Sequence, residues 1–195
     1  MKNLEQWQID PEHSSLRFAL RHIVVSEIKG RFGRWGGSLT LDRADPARSS
    51  VHVWIDLGSI ETGAVERDGH VKSAEFLDVA RFPRAEFRST SVTLRDHAPV
   101  ALAGRLDLHG AERPAQVEVS VGKTWTDGQG RARASYVARA RIDRQAFGLH
   151  WNQDLDVGGV VVGDDVEITA ELELVLRERA KLADPPSPAG TFRGA

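Results

Sequence analysis

The chain has 195 residues, a formal net charge of −2 and no cysteine. This length suits one all-β domain that needs no disulfide or metal for stability, and the absent cysteine excludes a thiolate zinc site and a cysteine nucleophile. Charges of both signs are interspersed, which argues against nucleic acid as a partner because phosphate-backbone binding requires a basic stripe.

The first ten residues, MKNLEQWQID, lack the apolar region of ~7–15 residues that is typical of a secretory signal. No stretch of the chain approaches the ~20 apolar residues that span a bilayer. From these two observations we expect a cytoplasmic protein without a membrane span.

Alternating apolar and polar residues predict strands along most of the chain. Successive strand side chains point to opposite faces, so a period of two indicates a strand with one buried face. The first example places Leu16, Phe18 and Leu20 opposite Arg17. The last segment contains good helix formers, but its strict period of two favours a strand. The pattern predicts strands over residues 16–22, 51–57, 102–108, 117–121, 134–142 and 166–176.

One segment departs from this pattern. Residues 63–79 combine clustered polar residues with Val71, Phe76 and Leu77, which predicts one or two short helical turns, with Gly69 as a break. The helical part ends before Pro83, because the residue before a proline avoids helical geometry.

Turn signals separate the predicted strands. Residues 127–130, Asp-Gly-Gln-Gly, predict a hairpin loop. His109-Gly110 and the segment 163–165 are interpreted as two further chain reversals. Short strands with turns between them are typical of a sandwich or a barrel.

The composition changes after Leu176. Residues 177–195 include the run DPPSPAG, which cannot bury enough apolar surface to fold alone. We therefore expect one domain over residues 1–176 and a disordered tail over residues 177–195. The alternative is a tail that folds over the domain with Phe192 as its anchor.

The longest predicted strands exceed the usual ~5–6 residues, and a long antiparallel sheet that closes into a barrel leaves no edge exposed. A barrel of about eight strands can be filled by side chains or can hold one small ligand. Small inward residues leave room for a ligand, unless aromatic rings from across the barrel occupy the space. They are Gly104, Ala134, Ala138, Ala140 and Ala170.

Several motifs occur in a specific order and spacing: Trp7-x-Ile9-Asp10-Pro11-x-His13-Ser14, Gly30-x-Phe32, Arg67-Asp68-x-His70-Val71-x-Ser73-x-x-Phe76-Leu77-Asp78-Val79-x-x-Phe82-Pro83, and Ile142-x-Arg144-x-x-Phe147-Gly148. With this set, the chain resembles the YceI-like family, also called polyisoprenoid-binding proteins. The resemblance extends over residues 7–176 and leaves out the tail.

The resemblance implies an extended, lipocalin-like antiparallel barrel of about eight strands with a helical insertion. It also implies a long apolar tunnel for an isoprenoid lipid, such as a polyprenyl phosphate or a quinone, with no other cofactor. Family members are often homodimers, and many carry a signal peptide and are periplasmic. This sequence departs from the family on the signal peptide.

The faces of the predicted strands assign the wall of this tunnel. An isoprenoid chain has no hydrogen-bonding groups, so apolar side chains bind it through buried area alone. Phe76, Phe82 and Phe87 belong to the insertion and the following strand, and we expect them to close one end. The expected wall consists of Phe18, Leu20, His22, Phe32, Leu106, Leu108, Tyr136, Ala138, Ile168 and Leu172.

Polar residues within the motifs are candidates for a headgroup site. His13, Arg67 and His70 can hold a phosphate through charge-assisted hydrogen bonds. The alternative for Arg67 is an ion pair with Asp68 or Asp78.

Two other functions stay open at this point. One is an enzyme that uses His13, His22 or His70 as a base in the same cavity, and the other is a packed structural dimer. His22 itself suits a hydrogen-bonded core histidine, a headgroup contact or a metal ligand. The sequence contains no nucleophile elbow, phosphate loop or histidine spacing typical of a metal site, so we expect no catalytic residue and no metal.

Overall fold

The computed structural model describes residues 3–22, 26–152 and 162–181. Its α-helix, α1, covers Val65–Lys72, and short 3₁₀ turns lie at Pro46–Arg48, Leu57–Ser59 and Arg144–Phe147. The strands are β1 (Asn3–Ile9), β2 (Ser15–His22), β3 (Ser26–Phe32), β4 (Trp35–Asp42), β5 (Ser50–Asp56), β6 (Ile60–Glu61), β7 (Arg84–Arg95), β8 (Ala98–Leu108), β9 (Ala111–Thr126), β10 (Ala132–Asp143) and β11 (Val162–Lys181).

The strands form one closed antiparallel barrel. β1 and β2 lie end to end along β11, because β1 pairs with residues 174–181 and β2 pairs with residues 162–171. In the same way, β4 pairs with β1 and β3 pairs with β2, so β4 and β3 also lie end to end. β5 then pairs with β4, and β6 pairs with β3. These three broken strands and β7 to β11 make eight long strands. The all-β barrel with a helical insertion is thus confirmed.

The core consists of two apolar clusters. The Trp7 cluster contains the buried residues Trp7, Ile9, Leu16, Trp35, Ala134, Ala170 and Leu174. The Phe18 cluster lies beside the insertion and contains the buried residues Phe18, Ile60, Leu77, Phe147 and Leu149. Phe32 and Ile168 pack against both clusters and connect them.

Two glycines of the barrel wall leave space that aromatic rings occupy. A Cβ on Gly30 would lie 2.3 Å from the Phe18 ring, and a Cβ on Gly104 would lie 2.6 Å from the Phe87 ring. Gly104 therefore makes room for a ring, as one sequence interpretation expected, and Ala134 is buried in the Trp7 cluster. The other small residues border open space inside the barrel; they are Ala138, Ala140 and Ala170.

The expectation that Gly69 breaks the insertion is wrong, because α1 runs through it. A glycine inside a helix costs about 1 kcal/mol, and other contacts offset that cost. Asp68 Oδ1 accepts hydrogen bonds from the Thr62 N–H at 2.8 Å and from the Thr62 hydroxyl at 2.6 Å, which fasten the helix to the strand before it.

The expected reversal at 163–165 is also wrong. These residues lie within β11, where the pairing with β2 is irregular between Val162 and Val166. Glycine and aspartate suit an irregularity of this kind as well as a turn. β11 also continues to Lys181, so residues 177–181 belong to the barrel. Residues 182–195, including Phe192, lie outside the described residues.

The hairpins expected at 109–110 and 127–130 are both present. None of the described helices has the length and apolar character needed to cross a bilayer.

Candidate functional site

The barrel contains a cavity of about 700 Å³ that is partly open to the surface. This volume lies within the roughly 300–1,000 Å³ typical of small-molecule sites, and it far exceeds the ~30 Å³ that one water occupies in the liquid. Side chains packed in both the Trp7 cluster and the Phe18 cluster line it, and most of them are aliphatic or aromatic. Such an interior favours an apolar molecule, because a polar one would lose its hydrogen bonds to water.

Most of the wall predicted from the sequence borders this cavity. The side chain of His22 falls outside the part of the chain that can be described, although its backbone ends β2. The predicted residues that line the cavity are Phe18, Leu20, Phe32, Phe76, Phe87, Leu106, Leu108, Tyr136, Ala138, Ile168 and Leu172.

Phe82 is not among the described residues that line the cavity, and its ligand-binding role stays a prediction. Its backbone N–H donates to Asp78 O at 2.7 Å, and its ring meets the His109 ring edge-on at a centroid distance of 4.7 Å. A Cβ on Gly110 would lie 2.6 Å from the same ring. Phe82 therefore packs against the turn between β8 and β9.

Sequence reasoning missed part of the wall. Ile28, Leu39 and Leu41 line the cavity from β3 and β4, where a break in the strand obscures the alternation of apolar residues. The inward face of β5 was visible in the alternation of residues 51–57 but was not assigned to the site. Its cavity-lining members are Val51, Val53 and Ile55.

Arg67 borders the cavity at the insertion end. Its Nε donates to Thr62 Oγ1 at 2.7 Å and its Nη2 donates to Thr62 O at 2.8 Å. Thr62 is thus hydrogen-bonded to both Arg67 and Asp68. This arrangement replaces the direct ion pair between Arg67 and Asp68 that the sequence analysis considered. Hydrogen bonds from Thr62, with smaller contributions from the Lys72 and Arg67 charges, hold the pKa of Asp68 below its usual value.

His70 lies beside Arg67 at the same end. Its Nε2 shares a hydrogen bond with Glu75 Oε2 at 3.1 Å, and its ring lies edge-on to Trp151 at a centroid distance of 4.5 Å. The Phe76 ring lies 6.2 Å from that of Trp151. A histidine, a cation and two aromatic rings therefore meet at this end of the cavity.

Arg144 is the most buried charged residue of the described chain, at 1% exposure. Its Nε donates to Gly163 O at 2.9 Å, its Nη1 donates to Leu149 O and to Trp151 O, and its Nη2 donates to Val162 O and to the Asp164 carboxylate. Burial lowers its pKa, against the raising effect of Asp164 and Asp143. Arg144 borders the cavity and ties the segments that surround its insertion end. Only its place in a family motif pointed to it.

The opposite end of the cavity has polar groups too. Arg43 Nε donates to Glu5 Oε2 at 2.9 Å, and Trp7 Nε1 donates to the same oxygen at 3.0 Å. Arg43 and Tyr136 both border the cavity there. Burial raises the pKa of Tyr136, as does Glu5, and the Arg43 charge opposes this rise.

His13 is not among the described residues that line the cavity, and its headgroup role stays a prediction. Its Nδ1 is 3.0 Å from Asp10 Oδ2, and Arg133 Nη1 lies 2.7 Å from that oxygen. Arg133 also pairs with Glu173 and with Asp127. These ion pairs join the turn after β1 to the hairpin between β9 and β10, far in sequence from α1.

Asp10, His13 and Glu173 place their ligand atoms within 4.8 Å of one another, a grouping compatible with a metal ion that the sequence did not suggest. The Arg133 guanidinium pairs with both carboxylates of this group. Its positive charge lies against both carboxylates and would repel a metal cation there, so the geometry favours an ion-pair network over a metal site.

The fold and its interior place the protein among closed antiparallel barrels with an apolar cavity. Within that class, the chain belongs to the YceI-like family, since the YceI-like domain matches residues 7–174.

Curated relatives agree with this assignment. A UPF0312 protein of Vibrio cholerae is 33% identical over 75% of this chain and 79% of its own length. Protein YceI of Salmonella newport is 34% identical over 74% of this chain and 76% of its own length.

Solved structures share the fold. BcnA of Burkholderia cenocepacia matches with a TM-score of 0.71 and 21% identity, over 85% of this chain and 98% of that one. A polyisoprenoid binding domain from Saccharophagus degradans matches with a TM-score of 0.63 and 17% identity, over 88% of this chain and 98% of that one.

Proposed function

We propose that the protein binds an isoprenoid or another long amphipathic lipid inside the barrel, for transport, storage or sensing. The observation that carries this proposal is the apolar cavity of about 700 Å³. The structurally similar Saccharophagus degradans protein is described as a polyisoprenoid binding domain, which supports the same ligand class.

Buried hydrocarbon supplies the affinity. Each buried CH₂ contributes about 0.8 kcal/mol, so one isoprene unit contributes about 3 kcal/mol, less the cost of ordering the chain. The wall residues Val166 and Leu174 lie eight positions apart on β11, which corresponds to about 26 Å of strand. Because the lining follows the strand over this distance, the cavity is elongated along the barrel and suits an extended chain better than a compact ring system.

The polar residues at the insertion end of the cavity are suited to bind the lipid headgroup. Arg67 and His70 border the cavity there, and Thr62 fixes the guanidinium through two hydrogen bonds. Because the guanidinium is already held in place, it can bind phosphate or a quinone oxygen at a smaller cost in side-chain entropy.

A binding role fits the site better than catalysis. Of the three histidines considered as bases, His13 lies outside the cavity and His70 is bonded to Glu75, so the described chain brings no two of them together. The cavity also argues against a fully packed barrel. The homodimer, the cellular location and the absence of a cofactor other than the lipid stay predictions.

Two substitutions on β10 test the proposal. Ala138 faces the cavity beside Ala170, whereas the next residue towards the N-terminus, Val137, points to the outer face. In native mass spectrometry with added geranylgeraniol, we expect one bound lipid per chain in the unsubstituted protein and in Val137→Phe. Ala138→Phe places a ring in the cavity and should lose the lipid. Equal binding by both variants would place the lipid elsewhere, and no binding in any of the three proteins would refute the proposal.

A further inference from the structure

The end of the cavity opposite α1 carries two side chains with hydrogen-bond donors that the proposed function does not use. Tyr136 comes from β10 and Arg43 follows β4, and both border the cavity. Tyr136 packs against the Trp7 cluster, whereas Arg67 and His70 lie by the Phe18 cluster. Polar groups therefore lie at both ends of an apolar wall.

An ion pair with Glu5 fixes the Arg43 side chain. Its Nε donates to Glu5, which is buried at 5% exposure and also accepts the Trp7 indole N–H. Within residues 3–22, 26–152 and 162–181, the two terminal nitrogens of Arg43 have no hydrogen-bond partner. The ion pair thus orients the guanidinium, and because the Arg43 side chain is 53% exposed, its remaining donors are accessible both to solvent and to a ligand.

The Tyr136 hydroxyl is also available. It has no hydrogen-bond partner within the described chain, yet no fully buried side-chain nitrogen or oxygen there lacks one. The hydroxyl must therefore border open space, and Tyr136 lines the cavity. A phenol keeps its proton at neutral pH even at its ordinary pKa of about 10, and burial raises the pKa of Tyr136 further, so the hydroxyl can donate a hydrogen bond.

We propose that Tyr136 and Arg43 form a second polar site, which binds a hydroxyl or carbonyl oxygen at the far end of the lipid. This inference rests on the proposed lipid binding and adds that, among long apolar chains, one with a second polar group at its far end binds more tightly than one whose far end is apolar. A chain with a wholly apolar end would cover the Tyr136 hydroxyl without satisfying it, and an unsatisfied buried donor lowers affinity.

Matched pairs of ligands test the second site. We would measure the affinities of 1-alkanols and of α,ω-alkanediols from twelve to twenty carbons by displacement of a fluorescent fatty acid. The proteins are the unsubstituted chain, Tyr136→Phe and Leu172→Val. Tyr136→Phe removes one hydroxyl and keeps the ring, so the wall remains intact. Leu172 pairs with Tyr136 across the strands, and its shortening changes the wall without changing a polar group.

At the chain length that fits best, we expect Tyr136→Phe to lower the ratio of diol affinity to alkanol affinity about tenfold, which corresponds to one hydrogen bond of about 1.4 kcal/mol. Leu172→Val should weaken both ligands alike and leave the ratio unchanged. A ratio that Tyr136→Phe does not change at any length overturns the second site while lipid binding stands. If neither ligand displaces the probe, the second site and the proposed function fall together.

Discussion

Arg144 shows at the scale of one residue how a buried charge organises one end of the cavity. Its guanidinium fork donates to four backbone carbonyls and one carboxylate. A lysine keeps the charge but cannot reproduce the fork, so some of these buried acceptors would lose their partner. We expect Arg144→Lys to lower the free energy of unfolding by about 3 kcal/mol, measured by urea denaturation.

Arg141 provides the control for this substitution. It forms an exposed ion pair with Asp165, and exposed pairs contribute at most about 1 kcal/mol. Arg141→Lys should therefore unfold at nearly the same urea concentration as the unsubstituted protein. Equal losses in the two variants would show that the buried network has no special role.

The ion pairs around Arg133 make a second prediction, on pH dependence. Burial raises the pKa of Asp10, but hydrogen bonds from Arg133 and His13 outweigh this and hold the pKa below its usual value. The Arg133 guanidinium and the Arg131 backbone N–H lower the pKa of Asp127 as well. A carboxyl group with a lowered folded-state pKa stabilises the protein above its unfolded pKa of 3.8, and the stabilisation is lost as the pH falls further.

The measurement is the melting temperature between pH 7 and pH 2 for the unsubstituted protein and Arg133→Gln. The variant should melt lower at pH 7, and the difference should narrow below about pH 4, where the carboxyl groups become protonated. A difference that stays constant to pH 2 would contradict the assigned role of these carboxylates.

At the scale of elements, regular alternation predicted the strands that are continuous, such as β8 and β10. The bounds and inward faces of β3 and β4 were not predicted because the chain breaks at Gly33-Arg34 and interrupts the period. The turn between β7 and β8 was missed for another reason: Asp96 and His97 both adopt positive φ without a glycine or proline to signal it. A sequence pattern indicates a turn only where the turn contains residue types, such as glycine or proline, that are rare within strands and helices.

Two glycines allow a test at this scale. Gly30 on β3 lies against the Phe18 ring, so Gly30→Ala forces the ring or the strand to move and should destabilise the barrel by about 1–3 kcal/mol. A methyl group added at Gly69 would meet nothing within 4 Å, so Gly69→Ala should stabilise α1 by about 0.5–1 kcal/mol. Thermal unfolding distinguishes them, and a stabilised Gly30→Ala would contradict the described packing.

For the whole molecule, the sequence predicted a closed barrel and most of the cavity wall, because wall residues follow strand faces. It placed His13 at the headgroup because the motif order gives no distances. The ion pair of Asp10 with Arg133 joins residues 123 positions apart, and no local pattern predicts such a contact. The size of the cavity was equally inaccessible, since small residues make room for rings at Gly104 and for open space at Ala138.

Ligand binding should stabilise the whole barrel. A ligand that binds only the folded chain adds about 2.7 kcal/mol to the unfolding free energy at a concentration one hundred times its dissociation constant. Geranylgeraniol should therefore raise the melting temperature of the unsubstituted protein and not that of Ala138→Phe. An equal rise in both proteins would point to a surface effect.

A crystal structure of the protein saturated with geranylgeraniol tests the central claim most directly. We predict electron density for one extended chain inside the barrel, in contact with Phe32 and Ile168 and running from the Phe18 cluster towards the Trp7 cluster. Lipid found on the outer surface, around an interior closed by its own side chains, would contradict the account.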